Sequence, residues 1–234
     1  MKFTILGCDG TYPDAHGATS GYLVTSGEDR LLLDAGSGVL AGLMALCKPE
    51  DLRAIILTHW HNDHACDMLP LKYYLMINKK TQRVLNPREK HPLKDLVKGN
   101  EFRFEDFGAP LTIGGFELSF LPVEHPVPAY AVKIRLDGRT LVYTGDVVGG
   151  EGLAQFCHKA DLLVCDASFT TAQWHEGLPH FSAAQAGQLA KEAKVKQLMI
   201  THAQPGSDKA LLLLEARQEF EHSIQAQKGM TLSL

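Results

Sequence analysis

Four side chains that commonly bind metal ions lie within six residues of one another: His59, His61, Asp63 and His64. They directly follow Ala54–Leu57, a short apolar run rich in Ile and Leu that predicts a buried strand. In an extended chain alternate side chains point to the same side, so His59 and His61 can bind one ion together. Asp63 and His64 are adjacent and point in different directions, which suits a second ion nearby. A helical zinc site would need two histidines four positions apart, and that spacing is absent here.

Three further polar residues stand just beyond predicted strands in the second half of the chain. They are His125, Asp146 and His202, and the apolar runs before them are Phe120–Val123, Leu141–Tyr143 and Leu198–Ile200. A single histidine in such a place is usually an ordinary loop residue. Together with the cluster, however, these residues supply seven ligands. Two four-coordinate ions need about that number when one carboxylate bridges them.

The predicted elements form two blocks, each made of strands followed by a helix. The predicted strands are Lys2–Leu6, Gly21–Thr25, Arg30–Leu33, Ala54–Leu57, Leu111–Ile113, Phe116–Leu121, Ala129–Leu136, Thr140–Tyr143, Asp161–Val164 and Lys196–Ile200. The predicted helices run from Val39 to Cys47, from Met68 to Asn78, from the capping box at Ser182 to Ala193, and from Ser207 to Gln225. Helices that cover two packed sheets account for this order. We therefore expect an α/β (α+β) fold in one domain, residues 1–234.

Composition is that of an ordinary globular protein. Hydrophobic residues make up 45% of the 234 residues, which is enough for a full core, and no apolar run approaches the length of a membrane span. The apolar part of Met1–Gly7 is too short for a signal peptide. The five cysteines form no C-x-x-C pair, which indicates reduced thiols and a cytoplasmic location.

Charge is unevenly distributed along the chain. The net charge is −4, yet the segment Lys72–Arg103 carries nine basic and only three acidic residues. Such a segment either faces a polyanion such as RNA or forms a solvated surface. The overall negative charge does not indicate an avid nucleic-acid binder, and we find no DNA-binding motif. A homodimer is compatible with the sequence.

The segment His59-x-His61-x-Asp63-His64 resembles the hallmark motif of the metallo-β-lactamase superfamily, and the resemblance extends over nearly the whole chain. It implies a four-layer αββα sandwich with a site for two zinc ions, or for manganese or iron. The implied ligands are His59, His61 and His125 for one ion, Asp63, His64 and His202 for the other, and Asp146 as the bridge. The turn Asp34-Ala35-Gly36 is similar to one that orients these ligands from behind. True β-lactamases lack a counterpart of His64, so lactam hydrolysis is not expected.

Three segments resemble the ribonuclease Z-like proteins of that superfamily: His125–Tyr130, Asp166–Phe169 and His180–Ser182. The last two resemble the paired acid and histidine of the subgroup. This sequence has Asp166 where the subgroup usually has Glu, and Cys165 where it usually has His. Two predicted strands fill the stretch between His125 and Asp146, so the protruding arm that grips transfer RNA in long forms is absent. The resemblance is therefore to a short, armless member.

The resemblance also implies the chemistry. Two metal ions lower the pKa of a shared water towards neutrality and so supply hydroxide. In the family Asp63 lies beside that water, and we expect it to act as general base or to orient the water. His180 stands just before a capped helix N-terminus, where phosphate binds readily. We expect His180, held by Asp166, to clamp a phosphate or protonate the leaving oxygen. The alternative is that His180 is an ordinary loop residue.

These expectations favour a metal-dependent phosphodiesterase that acts on RNA 3′ ends or on a small or cyclic nucleotide phosphodiester. Hydrolysis of lactones, esters or thioesters at the same two ions is the alternative, and a purely apolar pocket would favour it. A non-enzymatic binding module is the third hypothesis, and the complete set of ligands counts against it. The expected partner is thus a phosphodiester or another small hydrolysable substrate, with RNA as a candidate.

Overall fold

Fourteen strands form two sheets of seven in the computed structural model, which describes residues 1–234. The strands are β1 (Lys2–Gly7), β2 (Gly21–Ser26), β3 (Asp29–Leu33), β4 (Ala54–Ile56), β5 (Gln82–Asn86), β6 (Phe102–Asp106), β7 (Leu111–Ile113), β8 (Phe116–Val123), β9 (Ala129–Leu136), β10 (Arg139–Tyr143), β11 (Leu162–Asp166), β12 (Leu198–Thr201), β13 (Ser223–Gln225) and β14 (Thr231–Ser233). The helices are α1 (Val39–Met44), α2 (Asn62–Ala65), α3 (Met68–Asn78), α4 (Pro92–Val97), α5 (Leu153–Cys157), α6 (Ala183–Glu192) and α7 (Lys209–Glu219). None of them has the length and hydrophobicity needed to span a lipid bilayer.

The strand order brings the loops that carry the predicted ligands to one edge of each sheet. The first sheet has the order β14-β1-β2-β3-β4-β5-β6 and the second has the order β13-β12-β11-β10-β9-β8-β7. Pairing is parallel from β3 to β6 and from β10 to β13. Open sheets of this kind bind ligands at the carboxyl ends of their strands. The predicted ligands follow β4, β8, β10 and β12 at such ends.

Alternating side chains assign each face of a strand to a different layer. In β3, Leu31 and Leu33 pack in the core between the sheets, whereas Leu32 packs against the helices. In β11, Leu162 and Val164 lie in the same central core, and Leu163 packs against the helices that cover the second sheet. The period of two in a strand gives this alternation. The result is a four-layer αββα sandwich, which confirms the predicted fold class.

The predicted helix from Ser207 to Gln225 is wrong in its last part. Helix α7 ends at Glu219, and Ser223–Gln225 forms strand β13, which pairs in parallel with β12. The backbone of Phe220 is extended, with φ −143° and ψ 103°, so the chain leaves the helix there. The Arg217 side chain then donates a hydrogen bond to the carbonyl of Ser223. Pairing with β12 decides this segment, and a local apolar pattern does not reveal such pairing.

The sequence prediction also omitted strands β5, β6 and β14 and helix α4, and it extended the first helix to Cys47 although α1 ends at Met44. The other predicted strands and helices are present, with bounds that differ by a few residues at most. Ser182 caps α6 in the predicted capping box with Gln185. The omitted strands lie at or next to sheet edges and carry polar side chains, which weakens their apolar pattern.

Acidic residues just outside the basic segment Lys72–Arg103 neutralise part of its charge. Arg83 donates two hydrogen bonds to Glu105, and Lys94 lies 3.9 Å from Asp106. The Lys72 ammonium donates to the carbonyls of Leu96 and Lys98 instead of facing solvent freely. Strand β6 supplies both acids, and the sequence prediction had not placed it beside this segment. These contacts reduce the positive charge that the segment presents.

Candidate metal centre

The loops at the strand ends bring all seven predicted ligands into one cluster. His59, His61, His125 and Asp146 place one ligand atom each within 4.8 Å of one another. Asp63, His64, His202 and Asp146 do the same. Only Asp146 belongs to both groups, as expected of a bridging carboxylate. The geometry therefore allows two ions, and the role of each residue as a ligand remains a prediction.

In the first group the imidazoles converge on the Asp146 carboxylate. Nε2 of His125 lies 3.1 Å from Nδ1 of His61. Nε2 of His59 lies 3.6 Å from Oδ2 of Asp146, and Nε2 of His125 lies 3.9 Å from the same oxygen. His59 and His61 sit on the extended segment after β4, where alternate residues point the same way.

The second group combines a short helix with the loop after β12. Asp63 and His64 lie on helix α2. The sequence prediction had no helix at these residues. Nε2 of His202 lies 3.0 Å from Oδ2 of Asp63, and Nε2 of His64 lies 3.0 Å from Oδ1 of Asp146. His202 has a positive φ of 62°, an uncommon conformation for a residue other than glycine that is often found at functional sites.

Two buried atoms of the cluster lack the partners that buried polar atoms normally have. Nε2 of His59 and Oδ1 of Asp146 are shielded from solvent and form no hydrogen bond. Nearly all buried polar atoms in proteins are paired, so such atoms call for a ligand. Imidazole nitrogens and carboxylate oxygens are donors that suit zinc, manganese and iron. The residues present therefore fit a metal centre.

Hydrogen bonds behind the cluster leave one ring nitrogen of several histidines free to bind a metal. Nδ1 of His125 lies 3.1 Å from the carbonyl of Pro179, which can only accept a hydrogen bond. Nδ1 of His64 lies 2.8 Å from Oδ2 of Asp34, another acceptor. The proton is thus held on Nδ1 in both rings, and the Nε2 lone pair points into the cluster.

Asp34 supports the cluster from behind, as the resemblance implies for the turn Asp34-Ala35-Gly36. Its carboxylate is completely buried and accepts hydrogen bonds from the backbone and hydroxyl of Thr58, which precedes the ligands. It also accepts a hydrogen bond of 2.9 Å from the hydroxyl of Tyr143 in the second sheet. Asp34 therefore positions His64 and links the two sheets beneath the site. The sequence did not identify Tyr143 as part of this network.

The electrostatics favour metal-binding protonation states at most of the ligands. His64 is the exception: burial alone would lower the pKa of its imidazole, but the charges of Asp146, Asp63 and Asp34 raise it. Burial lowers the pKa of His59, and burial lowers the pKa of His125 to about 4, so both rings are neutral near pH 7. Burial alone would raise the pKa of Asp63. The neighbouring His64 and His202 outweigh that effect and hold the pKa of Asp63 well below its usual range. Neutral imidazoles and ionised carboxylates are the forms that coordinate a metal ion.

His180 and Asp166 form the predicted pair beside the ligands. Nδ1 of His180 lies 2.9 Å from Oδ2 of Asp166 and 3.7 Å from Oδ2 of Asp146. Burial alone would lower the pKa of His180, but the charge and the hydrogen bond of Asp166 raise it to about 9. Asp166 thus favours the protonated imidazole and accepts the hydrogen bond from its Nδ1.

Ser168, which the sequence did not identify, connects this pair to a metal ligand. Its hydroxyl oxygen lies 2.8 Å from Oδ1 of Asp166 and 2.9 Å from Nδ1 of His202. A carboxylate and a carbonyl only accept, so the hydroxyl donates to Asp166 or to the carbonyl of His202, which lies 2.9 Å away, and accepts from Nδ1–H of His202. That arrangement leaves Nε2 of His202 free for a metal. The Asp166-Ala167-Ser168 segment was the only sequence signal for this role.

Two cavities flank the cluster. One, with a volume of about 510 Å³, is lined by His61, Asn62, Leu69, His91, Leu93 and Leu96, together with Cys66 and Pro92; we call it the leucine pocket. The other, of about 590 Å³, includes His125, Val148, Trp174, Leu178 and Pro179 in its lining; we call it the Trp174 pocket. His91 caps α4 and is half-buried, although the sequence had suggested an ordinary surface residue. The omission of α4 hid the leucine pocket from sequence reasoning.

Comparison with known proteins agrees with this geometry. Residues 29–203 match the family described as Beta-lactamase superfamily domain. The probable metallo-hydrolase YhfI of Bacillus subtilis is 36% identical over 214 residues, which cover 86% of each protein. The crystal structure of YhfI, described as a metallo-beta-lactamase fold protein, aligns with a TM-score of 0.93 at 34% identity and covers 99% of this chain and 98% of that one.

Proteins named for transfer-RNA processing are more distant relatives. Ribonuclease Z of Archaeoglobus fulgidus is 25% identical over 308 residues, covering 100% of this chain and 98% of that protein. The short form of human tRNase Z has a TM-score of 0.81 at 20% identity and covers 100% of this chain and 99% of that one, which shows a common fold. The chain therefore belongs to the metallo-β-lactamase superfamily.

Proposed function

We propose that this protein is a metal-dependent phosphodiesterase of the ribonuclease Z-like type. The observation that carries the proposal is the pair of His180 and Asp166, in which Nδ1 of His180 lies 2.9 Å from Oδ2 of Asp166 and 3.7 Å from Oδ2 of Asp146 in the ligand cluster. A phosphodiester needs a group that stabilises charge or protonates the oxygen that leaves, and His180 is placed to do so. Relatives named metallo-hydrolase and ribonuclease Z favour hydrolysis as the reaction class.

His59, His61 and His125 would hold one ion, Asp63, His64 and His202 would hold the other, and Asp146 would be shared. Zinc is our choice, with manganese or iron as alternatives; such ions activate water and neutralise charge on a phosphoryl oxygen. The backbone N–H of Thr11 donates to Oδ2 of Asp63 at 3.0 Å and fixes that carboxylate from the open side. Asp63 would orient the attacking water or accept its proton.

The surface around the site favours a small phosphodiester over a folded transfer RNA. Strands β9 and β10 occupy the stretch between His125 and Asp146, and the connection between them is a tight turn at Asp137-Gly138, so no arm protrudes there. The basic segment Lys72–Arg103 is partly neutralised by Glu105 and Asp106. We also propose RNA 3′ ends as substrates, bound through their last nucleotides.

Hydrolysis of a lactone, ester or thioester is the second candidate. The observation that favours it is the leucine pocket beside His61, because apolar walls suit an acyl chain. A thioester makes less use of a protonated His180, since its thiolate leaves without a proton, whereas the alkoxide of an ester or lactone needs one as that of a phosphodiester does. The substrate panel, and not His180 alone, therefore separates the two candidates.

The experiment is a substrate panel on metal-loaded protein, with phosphodiesters beside lactones and thioesters. His180→Ala should lower kcat for phosphodiesters with poor leaving groups by roughly 100-fold or more, the scale of a positioned acid. A nitrophenyl phosphodiester, whose leaving group needs little protonation, should lose less. The control is His158→Ala, which changes an exposed histidine outside the cluster.

Metal content separates the outcomes of this experiment. It should be unchanged in His180→Ala, because His180 is not among the seven proposed ligands. Loss of an ion from that variant would mean that His180 is itself a ligand. Hydrolysis of lactones or thioesters alone, with no phosphodiester turned over, would refute the proposal and leave the second candidate in its place.

A further inference from the structure

We propose that the leucine pocket binds the substituent that stays on phosphorus, and that this substituent carries an uncharged aromatic ring, such as the base of a nucleoside. The inference rests on the proposed phosphodiesterase function and adds the chemical class of one half of the substrate. Its basis is the position of the pocket relative to His61 and His180, together with the residues that line it.

The order of the histidines assigns each flank of the site to one substituent. His125 lies between His61 and His180, with ring centroids 4.9 Å from the first and 5.7 Å from the second. The Trp174 pocket includes His125 and Pro179, and the indole of Trp174 donates a hydrogen bond to the carbonyl of His180. The leaving group, which takes its proton from His180, therefore belongs on that flank. His61, on the other flank, lines the leucine pocket. We therefore assign the retained group to that pocket.

The lining of the leucine pocket selects against charge. It contains no Lys, Arg, Asp or Glu, so it offers no charged side chain of these types to a second phosphate. Leu69, Leu93 and Leu96 form apolar walls, and Leu96 is 65% exposed. A ligand that covers Leu96 would gain the free energy of burying that surface.

Two polar side chains at the pocket suit the edge of a base. Nδ1 of His91 accepts the N–H of Leu93 at 3.3 Å, so its proton resides on Nε2, which can donate to a ligand. Asn62 is exposed at the same pocket and offers both a donor and an acceptor. Apolar walls with a few polar groups and a volume of about 510 Å³ are typical of sites for small, flat ligands.

The test compares two diesters that share a leaving group, bis(4-nitrophenyl) phosphate and methyl 4-nitrophenyl phosphate. Only the retained group differs, an aromatic ring in one and a methyl in the other. The measured quantity is the ratio of their kcat/KM values with metal-loaded protein. Leu96→Ser should reduce this ratio by about tenfold, mainly through KM for the aryl diester, since apolar binding contacts act on ground and transition states alike.

A matched control is available on the opposite helical layer. Leu214 on α7 is 54% exposed and lines neither cavity, so Leu214→Ser should leave the ratio unchanged. If Leu96→Ser hydrolysed both diesters with an unaltered ratio of kcat/KM values, the assignment of the pocket would be wrong. The proposed phosphodiesterase function would still stand. Failure of the unmodified protein to hydrolyse either diester would instead refute the proposed function, and this inference would fall with it.

Discussion

Asp146 is the residue on which both halves of the metal cluster depend. Its carboxylate is 2% exposed and lies within 4 Å of His59, His64, His125 and His202. No other side chain belongs to both proposed sets of ligands. A change at this residue therefore differs from a change at any histidine, each of which belongs to only one of the two proposed sets.

We expect Asp146→Ala to cost more activity than replacement of any single histidine ligand. Loss of the shared carboxylate should loosen both ions, whereas His61→Ala removes one donor from one ion. Elemental analysis of the two variants, alongside turnover of the same phosphodiester, provides the measurement. If Asp146→Ala kept two ions and near-normal turnover, Asp146 would not be the bridge.

Ser168 offers a residue-scale test that does not depend on the substrate. Its hydroxyl accepts from His202 and donates to Asp166 or to the carbonyl of His202, so Ser168→Ala removes the group that fixes the ring of His202. Loss of such outer partners typically weakens metal binding by about 10- to 100-fold. We therefore expect Ser168→Ala to weaken one ion of the two in a titration against a chelator.

Two variants control for this effect. Ser168→Thr keeps the hydroxyl and should restore most of the affinity. Ser223→Ala removes an equally buried hydroxyl, which donates to the carbonyl of Phe220, and should leave metal binding unaltered. Equal metal affinity in Ser168→Ala and the parent protein would show that His202 is held by its backbone alone.

At the scale of elements, the close approach of two loops places the second group of ligands. A Cβ atom at Gly36 would lie 2.0 Å from the carbonyl oxygen of Asp63 and 2.2 Å from the hydroxyl of Thr19. The loop after β3 therefore touches the backbone of α2, and only glycine permits that distance. This contact, more than the intrinsic preference of a four-residue helix, sets the direction of Asp63 and His64.

Gly36→Ala should displace α2 and weaken the ion held by Asp63 and His64, by roughly tenfold or more. Gly42→Ala is the matched control, because a Cβ atom there meets Leu6 at an ordinary 3.6 Å and lies within helix α1. That substitution should stabilise the protein by about 0.5–1 kcal/mol. Metal titration and thermal unfolding of both variants are the measurements, and normal metal binding by Gly36→Ala would contradict the expectation.

What the sequence predicts well at this scale are the features encoded locally. The apolar runs before His59, His125, Asp146 and His202 are strands, and each ends where the ligand begins or shortly before it. A strand followed at once by a polar residue needs no distant information, because buried runs and their ends are visible in the chain itself.

Features that depend on distant pairing were missed. Strand β13 forms because β12 lies beside it, and Ser168 gains its role because His202 lies 34 positions away in sequence yet 2.9 Å away in space. The leucine pocket joins His61 to residues of α4, a helix of 6 residues that begins with a proline and is too short for its apolar spacing to be recognised along the chain. A local pattern cannot reveal such neighbours.

At the scale of the whole molecule, the metal cluster lies across the two sheets. His59 and His61 lie in the loop after β4 of the first sheet, and Asp63 and His64 lie on α2, which follows that loop. His125, Asp146 and His202 follow β8, β10 and β12 in the second sheet. Each proposed ion would thus join both sheets, as the hydrogen bond from Tyr143 to Asp34 already does beneath the site. Metal binding and the packing of the sandwich should therefore be thermodynamically linked.

Removal of metal should lower the thermal stability of the protein. An ion present at 100 times its dissociation constant adds about 2.7 kcal/mol to the folded state. In a protein of this size each kcal/mol raises Tm by about 2–4 °C, so each ion should contribute roughly 5–10 °C. The measurement is thermal unfolding of chelator-treated protein before and after titration with zinc or manganese.

The variant Asp146→Ala makes this prediction specific to the cluster. It lacks the shared carboxylate, so its Tm should rise much less on addition of metal than that of the parent protein. Both proteins have the same exposed acidic residues elsewhere, so ions bound there should raise Tm equally in both. An equal rise in both would place the stabilising ions outside the cluster. No rise in the parent protein at saturating metal would show that the two sheets hold the seven side chains without help from an ion.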